Sequence, residues 1–355
     1  MPKISPPGHI LEIISRLESR GFETWCAGGC VRDALLPREP SDWDIATAAL
    51  PQETAACFPG LRVLETGAAH GTVTLITPKG PVEVTTLRVD GEYTGHRRPI
   101  GVSFSRNIKE DLARRDFTVN ALAYHPERGL LDPFGGQEDL HRGLLRCVGD
   151  PMRRFDEDAL RILRAARFSA ALGFEIEKGT LSAALDSLGL IKSLSGERVR
   201  QELTKLLCAP GAGTALERYP RIILAALPEL SSLPSPQEVP PELVPRWAAL
   251  LRDCAPDSAR GLLRRLRFPN REISEITRLI KQLPLTPQGL SLWKRLETAG
   301  LTLKDLAVSG GDLISLGYSP GPGLGAALEG LLRGVLSGEL QNSREALLSH
   351  AAKNM

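Results

Sequence analysis

The period of hydrophobic and polar positions changes along this 355-residue chain. Over residues 8–20 the apolar positions recur at helical spacing and predict an amphipathic helix. FETWCAGG (22–29) then reads as a strand ending at glycines. HGTVTLITPKGPVEVTTLRV (70–89) reads as two strands about a Pro-Lys-Gly turn. DGEYTGHRRPIGVSFS (90–105) holds Gly, Pro and charges without steady period and predicts a mobile loop. IKEDLARRDFTVNALAYHP (108–126) resumes helical spacing. From about 137 onward the pattern is almost wholly helical. DPMRRFDEDALRILRAARFSAALGF (150–174) predicts one long helix and SGERVRQELTKLLCAP (195–210) another. SLPSPQEVPPELVP (232–245) is proline-rich and predicts a connection, with further helices near 258–283, 289–299 and 322–337. The expected fold class is α+β. A mixed-sheet head (1–136) precedes an all-helical neck (137–209) and a helical body and tail (210–355).

Composition narrows the class. Hydrophobic residues at 42% and charged residues at 24% fit a soluble globular protein. No apolar run approaches the roughly 18 residues of a membrane span. The first residues, MPKISPPGHILEIISRLESRG, lack the apolar core of a signal peptide, so a cytoplasmic location and no membrane partner are expected. Cys26, Cys30, Cys57, Cys147, Cys208 and Cys254 are scattered without a C-x-x-C pair and read as reduced core residues. His9, His70, His125, His141 and His350 show no paired metal spacing. A net charge of +2 does not by itself argue for nucleic acid, so charge position has to carry that question.

GGCVRDALLPREPSDWDIAT (28–47) holds the first candidate chemistry. If Asp42-Trp43-Asp44-Ile45 is a strand, Asp42 and Asp44 project from one face while Trp43 and Ile45 pack on the other. Two carboxylates held together repel unless a cation lies between them. Hard oxygen ligands suit Mg²⁺, which often takes one or two carboxylates plus substrate phosphates. Gly28 and Gly29 let backbone N–H groups approach an anion, and Arg32 follows three residues later to meet a phosphate. A lone D-x-D also reads as a surface turn; the glycine-arginine stretch upstream favours a metal and triphosphate site.

GGCVRD, SDWDIAT, EVTTLR, RRDFTVNALAY, DPFGGQEDL and FDEDALRILRAARF, in that order over roughly residues 20–207, resemble the class II tRNA nucleotidyltransferases. These are the CCA-adding enzymes of the DNA polymerase β superfamily and their bacterial poly(A) polymerase relatives. The resemblance implies metal binding by Asp42 and Asp44 and nucleotide contact by Gly29 and Arg32. It implies a third acid that helps the primer hydroxyl lose its proton, for which Glu83 is the candidate. Arg115 and Asp116 match a motif used around sugar and triphosphate, with Asn120 assisting. The loop at 90–105, with Tyr93, His96, Arg97 and Arg98, matches a segment that adjusts the pocket for ATP and is shortened in CC-adding members.

FDEDALRILRAARF places Asp158, Arg161, Arg164 and Arg167 at steps of three, a slanted stripe on a helix. On this reading Asp158 and Arg161 are neighbours that fix each other, and the three arginines repel one another without an anion nearby. Spacing alone reads equally well as an exposed helix with one ion pair. Base chemistry favours a functional reading, because cytosine and adenine share an amino donor beside a ring-nitrogen acceptor. A carboxylate accepts from the first and a guanidinium donates to the second, whereas uracil and guanine present the reverse pattern. The resemblance assigns this role to the E-D-x-x-R motif, here Glu157, Asp158 and Arg161, with Arg164 and Arg167 serving the triphosphate or positioning that pair.

Between Asp257 and Lys281 seven basic residues (Arg260, Arg264, Arg265, Arg267, Arg271, Arg278, Lys281) stand against Asp257, Glu272 and Glu275. Such a cluster follows a phosphate backbone, and without an aromatic sheet signature recognition would rest on shape, as for the acceptor arm of tRNA. An ordinary solvated helix face carries similar runs. The leading expectation is Mg²⁺-dependent, template-independent transfer of CMP, CMP and AMP from CTP and ATP to the tRNA 3′ end. The alternatives are an A-adding or poly(A)-adding relative, and a non-catalytic RNA-binding protein that retained the fold. The sequence leaves the oligomeric state open.

Overall fold

The computed structural model describes residues 4–36, 38–90, 93–94, 98–99, 102–237, 239–282, 303–337 and 339–353. Two compact units partition the chain: residues 1–233 with 265–267, and residues 234–264 with 268–355. The expected divisions at 136/137 and 209/210 both fall inside the first unit.

The first unit opens with α1 (Gly8–Glu18), whose Ile10, Ile13, Ile14 and Leu17 form a buried stripe of helical period. β1 (Thr24–Ala27), α2 (Gly29–Leu35), β2 (Ile45–Thr47), α3 (Pro51–Cys57), β3 (Arg62–Leu64), β4 (Thr72–Thr77) and β5 (Gly80–Thr86) follow. With β10 (Ala123–His125) and β11 (Gly129–Leu131), these strands form a seven-stranded sheet in the order β11-β10-β1-β2-β5-β4-β3. The β2–β5 pair is parallel and all other pairs are antiparallel, so the sheet is mixed. The expected α+β class holds.

Three expectations are corrected here. The segment expected as a loop forms two short antiparallel ladders, β6 (Arg88–Asp90) with β9 (Val102–Phe104) and β7 (Tyr93–Thr94) with β8 (Arg98–Pro99). His96 and Arg97 lie outside the described residues. Residues 108–125 do not stay helical: α4 (Ile108–Ala113) gives way to a 3-10 turn (Thr118–Asn120) and then to β10. Hydrogen bonding to β1 decides β10, a partner that local spacing cannot report. The helix expected over 150–174 is two, α6 (Pro151–Glu157) and α7 (Leu160–Leu172), because Asp158 takes extended angles (φ −147, ψ 102) between them.

Trp25, Ala27, Ala46, Leu87, Ile108, Leu112, Ala121, Ala123 and Val148 form the core between the sheet and its following segments. After α5 (Gly136–Arg142), the neck pairs β12 (Leu144–Leu145) with β13 (Glu175–Ile176) and packs α7 on α9 (Gly196–Leu207). The intervening α8 (Lys178–Asp186) packs on α6. The unit ends with α10 (Ala212–Arg218) and α11 (Pro220–Ala226).

In the second unit Trp247 of α12 (Leu243–Leu250) is fully buried and meets Phe268 edge-on, ring centroids 5.1 Å apart. The helix expected over 258–283 is also two, α13 (Pro256–Arg265) and α14 (Asn270–Gln282). Pro269 bars the helical region to the residue before it, and Arg267 turns the chain at φ 60. The helix expected at 289–299 lies outside the described residues. Leu313 of α15 (Gly310–Leu316), Leu331 of α16 (Pro322–Ser337) and Leu347 of α17 (Arg344–Lys353) share a small core with Leu306 and Val308.

Candidate active site

The site begins at the turn from β1 into α2. Gly28 stands at φ 89, ψ −130, where a side chain is strained, and a Cβ there would overlap the Arg115 guanidinium. Its N–H donates to the Leu122 carbonyl at 2.9 Å, tying the turn to the segment before β10. The next glycine, Gly29, is the first residue of α2.

The expected D-x-D strand starts later than anticipated, at Ile45. Asp44 still takes part in pairing through its backbone, its carbonyl accepting the Ala27 N–H at 3.1 Å. Ile45 is fully buried while Asp42 and Asp44 are exposed, as strand alternation requires. Ile45 pairs with Val84 in the parallel ladder, so Asp44 and Glu83, each one residue earlier, belong to the opposite face of neighbouring strands. Although Asp44 reaches solvent, partial desolvation by the protein around it pushes its carboxyl up, the nearby charges of Asp42 and Glu83 push it further, and Arg115 draws it down. The three acids thus share one electrostatic site. Among the described residues no three His, Cys, Asp or Glu side chains form a ready-made metal cage. Asp42 and Asp44 could hold a hard divalent cation whose remaining ligands are water and phosphate oxygens.

Behind the acids lies a continuous polar network. Arg115 donates to the Asn120 carbonyl at 3.3 Å and pairs with Asp111 at 3.1 Å. Arg32 donates to Asn120 Oδ1 at 2.6 Å and forks onto Asp33 at 2.8 and 2.9 Å. Asn120 Nδ2 donates to Asp116 Oδ1 at 3.0 Å, and Arg164 grips Asp116 Oδ2 at 2.6 and 2.8 Å. Burial opposes ionisation of Asp116, but Arg164, Asn120 and the Phe117 N–H together hold its carboxyl down to about 2. Phe168 sits under three guanidinium groups, Arg32 at 5.4 Å, Arg164 at 5.2 Å and Arg167 at 3.8 Å from its centroid.

The base-reading stripe is arranged differently from the expectation. Asp158 and Arg161 do not pair. Arg161 is 8% exposed, and its guanidinium donates to Glu157 at 2.8 Å and to the carbonyls of Arg154 and Arg114 at 3.0 and 2.8 Å. Asp158 accepts from Arg198 of α9 at 2.9 and 3.1 Å and from the Leu160 N–H at 3.1 Å. The cause is the break at Asp158, which removes the helical register that three-residue spacing assumes. Nor do the arginines lack anions: Arg161 has Glu157, Arg164 has Asp116, and Arg167 has Glu202 of α9 at 2.6 Å. Asp158 still acts on Arg164, helping to raise its pKa, so it belongs to the same network.

Arg198, Glu202, Asp111 and Phe168 were not anticipated. Arg198 and Glu202 stand four apart in SGERVRQELTK, one face of a helix, a signal that shows which side of α9 meets α7 only once a partner helix is known.

Three family models match the chain: the poly A polymerase head domain at residues 24–146, the probable RNA and SrmB-binding site of polymerase A at 173–230, and a putative second domain of tRNA nucleotidyltransferase at 290–351. The CCA-adding enzyme of Geobacillus stearothermophilus is 35% identical, the match spanning 95% of this chain and 94% of that one. The chain belongs to the CCA-adding enzyme family. The Limosilactobacillus fermentum member is 36% identical over 96% and 95% of the two chains. The crystal structure of the Bacillus stearothermophilus CCA-adding enzyme in complex with CTP is also similar, with a TM-score of 0.68 and 31% identity over 99% of this chain and 98% of that one. A Thermotoga maritima CCA-adding enzyme complexed with tRNA shares the fold at a TM-score of 0.63 and 22% identity, over 98% of this chain and 96% of that one. Membership makes this chain a nucleotidyltransferase of the polymerase β superfamily, which works with a divalent metal. Among the described residues no helix is long and apolar enough to cross a membrane.

Proposed function

We propose that this chain adds CMP, CMP and AMP from CTP and ATP to the 3′ end of tRNA, in the cytoplasm, without a nucleic-acid template and with release of pyrophosphate. The observation that carries the reading is the convergence of Asp42, Asp44 and Glu83 beside Arg115, inside a chain whose relatives are CCA-adding enzymes along nearly their whole length.

Asp42 and Asp44 would hold Mg²⁺, with Glu83 beside them. When bound, the metal neutralises developing charge on the phosphoryl oxygens and lowers the pKa of the attacking hydroxyl. The chain's own residues do the rest. Arg32 and Arg115 face the triphosphate, and the Gly28–Gly29 backbone leaves room for its oxygens. Asp116, anchored by Arg164, and Asn120 position the sugar. Arg164 and Arg167 hold positive charge over the Phe168 ring. Asp158 accepts from the amino group shared by cytosine and adenine, and an arginine donates to the neighbouring ring nitrogen. Orientation of the 3′ hydroxyl toward the α-phosphorus supplies much of the rate. The basic residues of α13 and α14 contact tRNA phosphates.

The test is to incubate the protein with tRNA lacking all three terminal nucleotides, with tRNA ending in CC, and with an unrelated RNA, and to sequence the products. Complete CCA ends on the first substrate are expected. Failure to incorporate CTP there would reduce the assignment to the A-adding or poly(A) reading, which the name of the head-domain model keeps in view.

A further inference from the structure

Asp158 is held from outside its own helix. Arg198 reaches across from α9 and places one terminal nitrogen, Nη2, against both carboxylate oxygens at 3.1 and 2.9 Å. The Leu160 N–H takes a further position on Oδ1. Oδ2 therefore keeps an acceptor position open, in a side chain that is 23% exposed. Arg198 is 30% exposed, and neither its Nε nor its Nη1 has a partner among the described residues. An open acceptor thus lies beside unspent donors at the break between α6 and α7, where the other anchor of the Asp158 carboxylate among the described residues is the Leu160 N–H on Oδ1.

We propose that Arg198 is a specificity-determining positioning residue: it clamps the Asp158 carboxylate in the one orientation that accepts from the amino group of cytosine or adenine. This deepens the proposed function and rests on the reading of Asp158 made there. Without Arg198 the carboxylate keeps only the Leu160 N–H on Oδ1, Oδ2 can swing aside, and a carboxylate that turns away no longer penalises a carbonyl-bearing base. Fixing it makes uracil and guanine face an acceptor with an acceptor, which costs more than the loss of one hydrogen bond. Arg161 does not supply this clamp, since its guanidinium is directed to Glu157 and two backbone carbonyls.

The experiment measures single-nucleotide incorporation of CTP and UTP on tRNA lacking its CCA end, for the wild type and Arg198→Met, Arg198→Lys, Asp158→Ala and the double variant Asp158→Ala/Arg198→Met, with a melting curve for each. Arg198→Met is expected to cut the C-over-U ratio of kcat/KM about tenfold or more, through a raised KM for CTP and faster use of UTP, with kcat for CTP changed less. Arg198→Lys should restore part of the ratio, and the double variant should be no less selective than Asp158→Ala. An undiminished ratio in Arg198→Met, with selectivity lost in Asp158→Ala, overturns the clamp and leaves the reading of Asp158 standing. Undiminished ratios in both overturn that reading and the clamp with it. If Arg198→Met melts too low to assay, Arg198→Gln, which stays polar but carries no charge to hold the carboxylate, decides: wild-type selectivity with wild-type kcat overturns the clamp, and reduced selectivity at wild-type melting temperature supports it.

Discussion

Asp44 and Glu83 are lateral neighbours on two parallel strands, one residue ahead of the Ile45–Val84 pair. Three carboxylates, Asp42 included, therefore act on one another. Replacing Asp44 by Ala is expected to lower kcat for CMP addition by at least about 10³-fold, the equivalent of the several kcal/mol a metal-held charge supplies. tRNA affinity by filter binding should be nearly unchanged. Retained turnover would remove the metal role.

The same crowding predicts a stability effect of opposite sign. The folded-state pKa of Asp44 is raised, first by partial desolvation and then by Asp42 and Glu83, so the native state holds its proton more tightly than the unfolded chain does. Its contribution to stability is then lost as pH rises through that window, and at neutral pH the ionised group destabilises the fold. Asp44→Asn, measured by thermal melting in EDTA at pH 7, should melt above the wild type, by a margin that solvent screening keeps small. Adding MgCl₂ should raise the wild type and not the variant.

Asp116 titrates in the other direction. Its folded pKa lies near 2, below the ordinary value, so its stabilisation is complete above about pH 4 and disappears as pH falls toward 2. Integrated over that interval it amounts to on the order of 2 kcal/mol. Asp116→Asn should flatten the acid limb of stability between pH 4 and 2. It should also destabilise the protein at pH 7, because Arg164 is left beside a neutral group. Chemical denaturation at several pH values reads both effects.

Asp158 and Arg161 are expected to behave differently on truncation, although the sequence pairs them. Arg161→Ala removes donors from the Arg154 and Arg114 carbonyls and one of three arginines on Glu157, which keeps Arg153 and Arg154, and a loss of about 1–3 kcal/mol should lower the melting temperature. Asp158→Ala removes a partly exposed group and should stay within about 1 kcal/mol of the wild type. Equal melting temperatures for the two variants would contradict this division.

Gly28→Ala combines a strained backbone with displacement of Arg115. A destabilisation of about 1–3 kcal/mol is expected from the φ alone, together with a higher KM for CTP.

Much of this was legible along the chain. The Gly28–Gly29 turn, the Asp42–Asp44 step and the 70–89 hairpin follow from local rules, because turn chemistry and strand alternation are written within a few residues. The fold class followed likewise. Spacing did not show that the helix stops at Asp158, that residues 123–125 join β1, or that each arginine of the stripe already has an acid of its own. Those outcomes depend on partners from 4 to nearly 100 positions away (4 for Arg161 and Glu157, 48 for Arg164 and Asp116, and Cys26 with Tyr124 across β1 and β10), and only packing brings such groups within hydrogen-bond reach. Sequence alone determined which chemical groups this protein carries and the short-range order in which it presents them. Tertiary structure decided which carboxylate each guanidinium answers, because the free energy of a buried charge is set by neighbours in space.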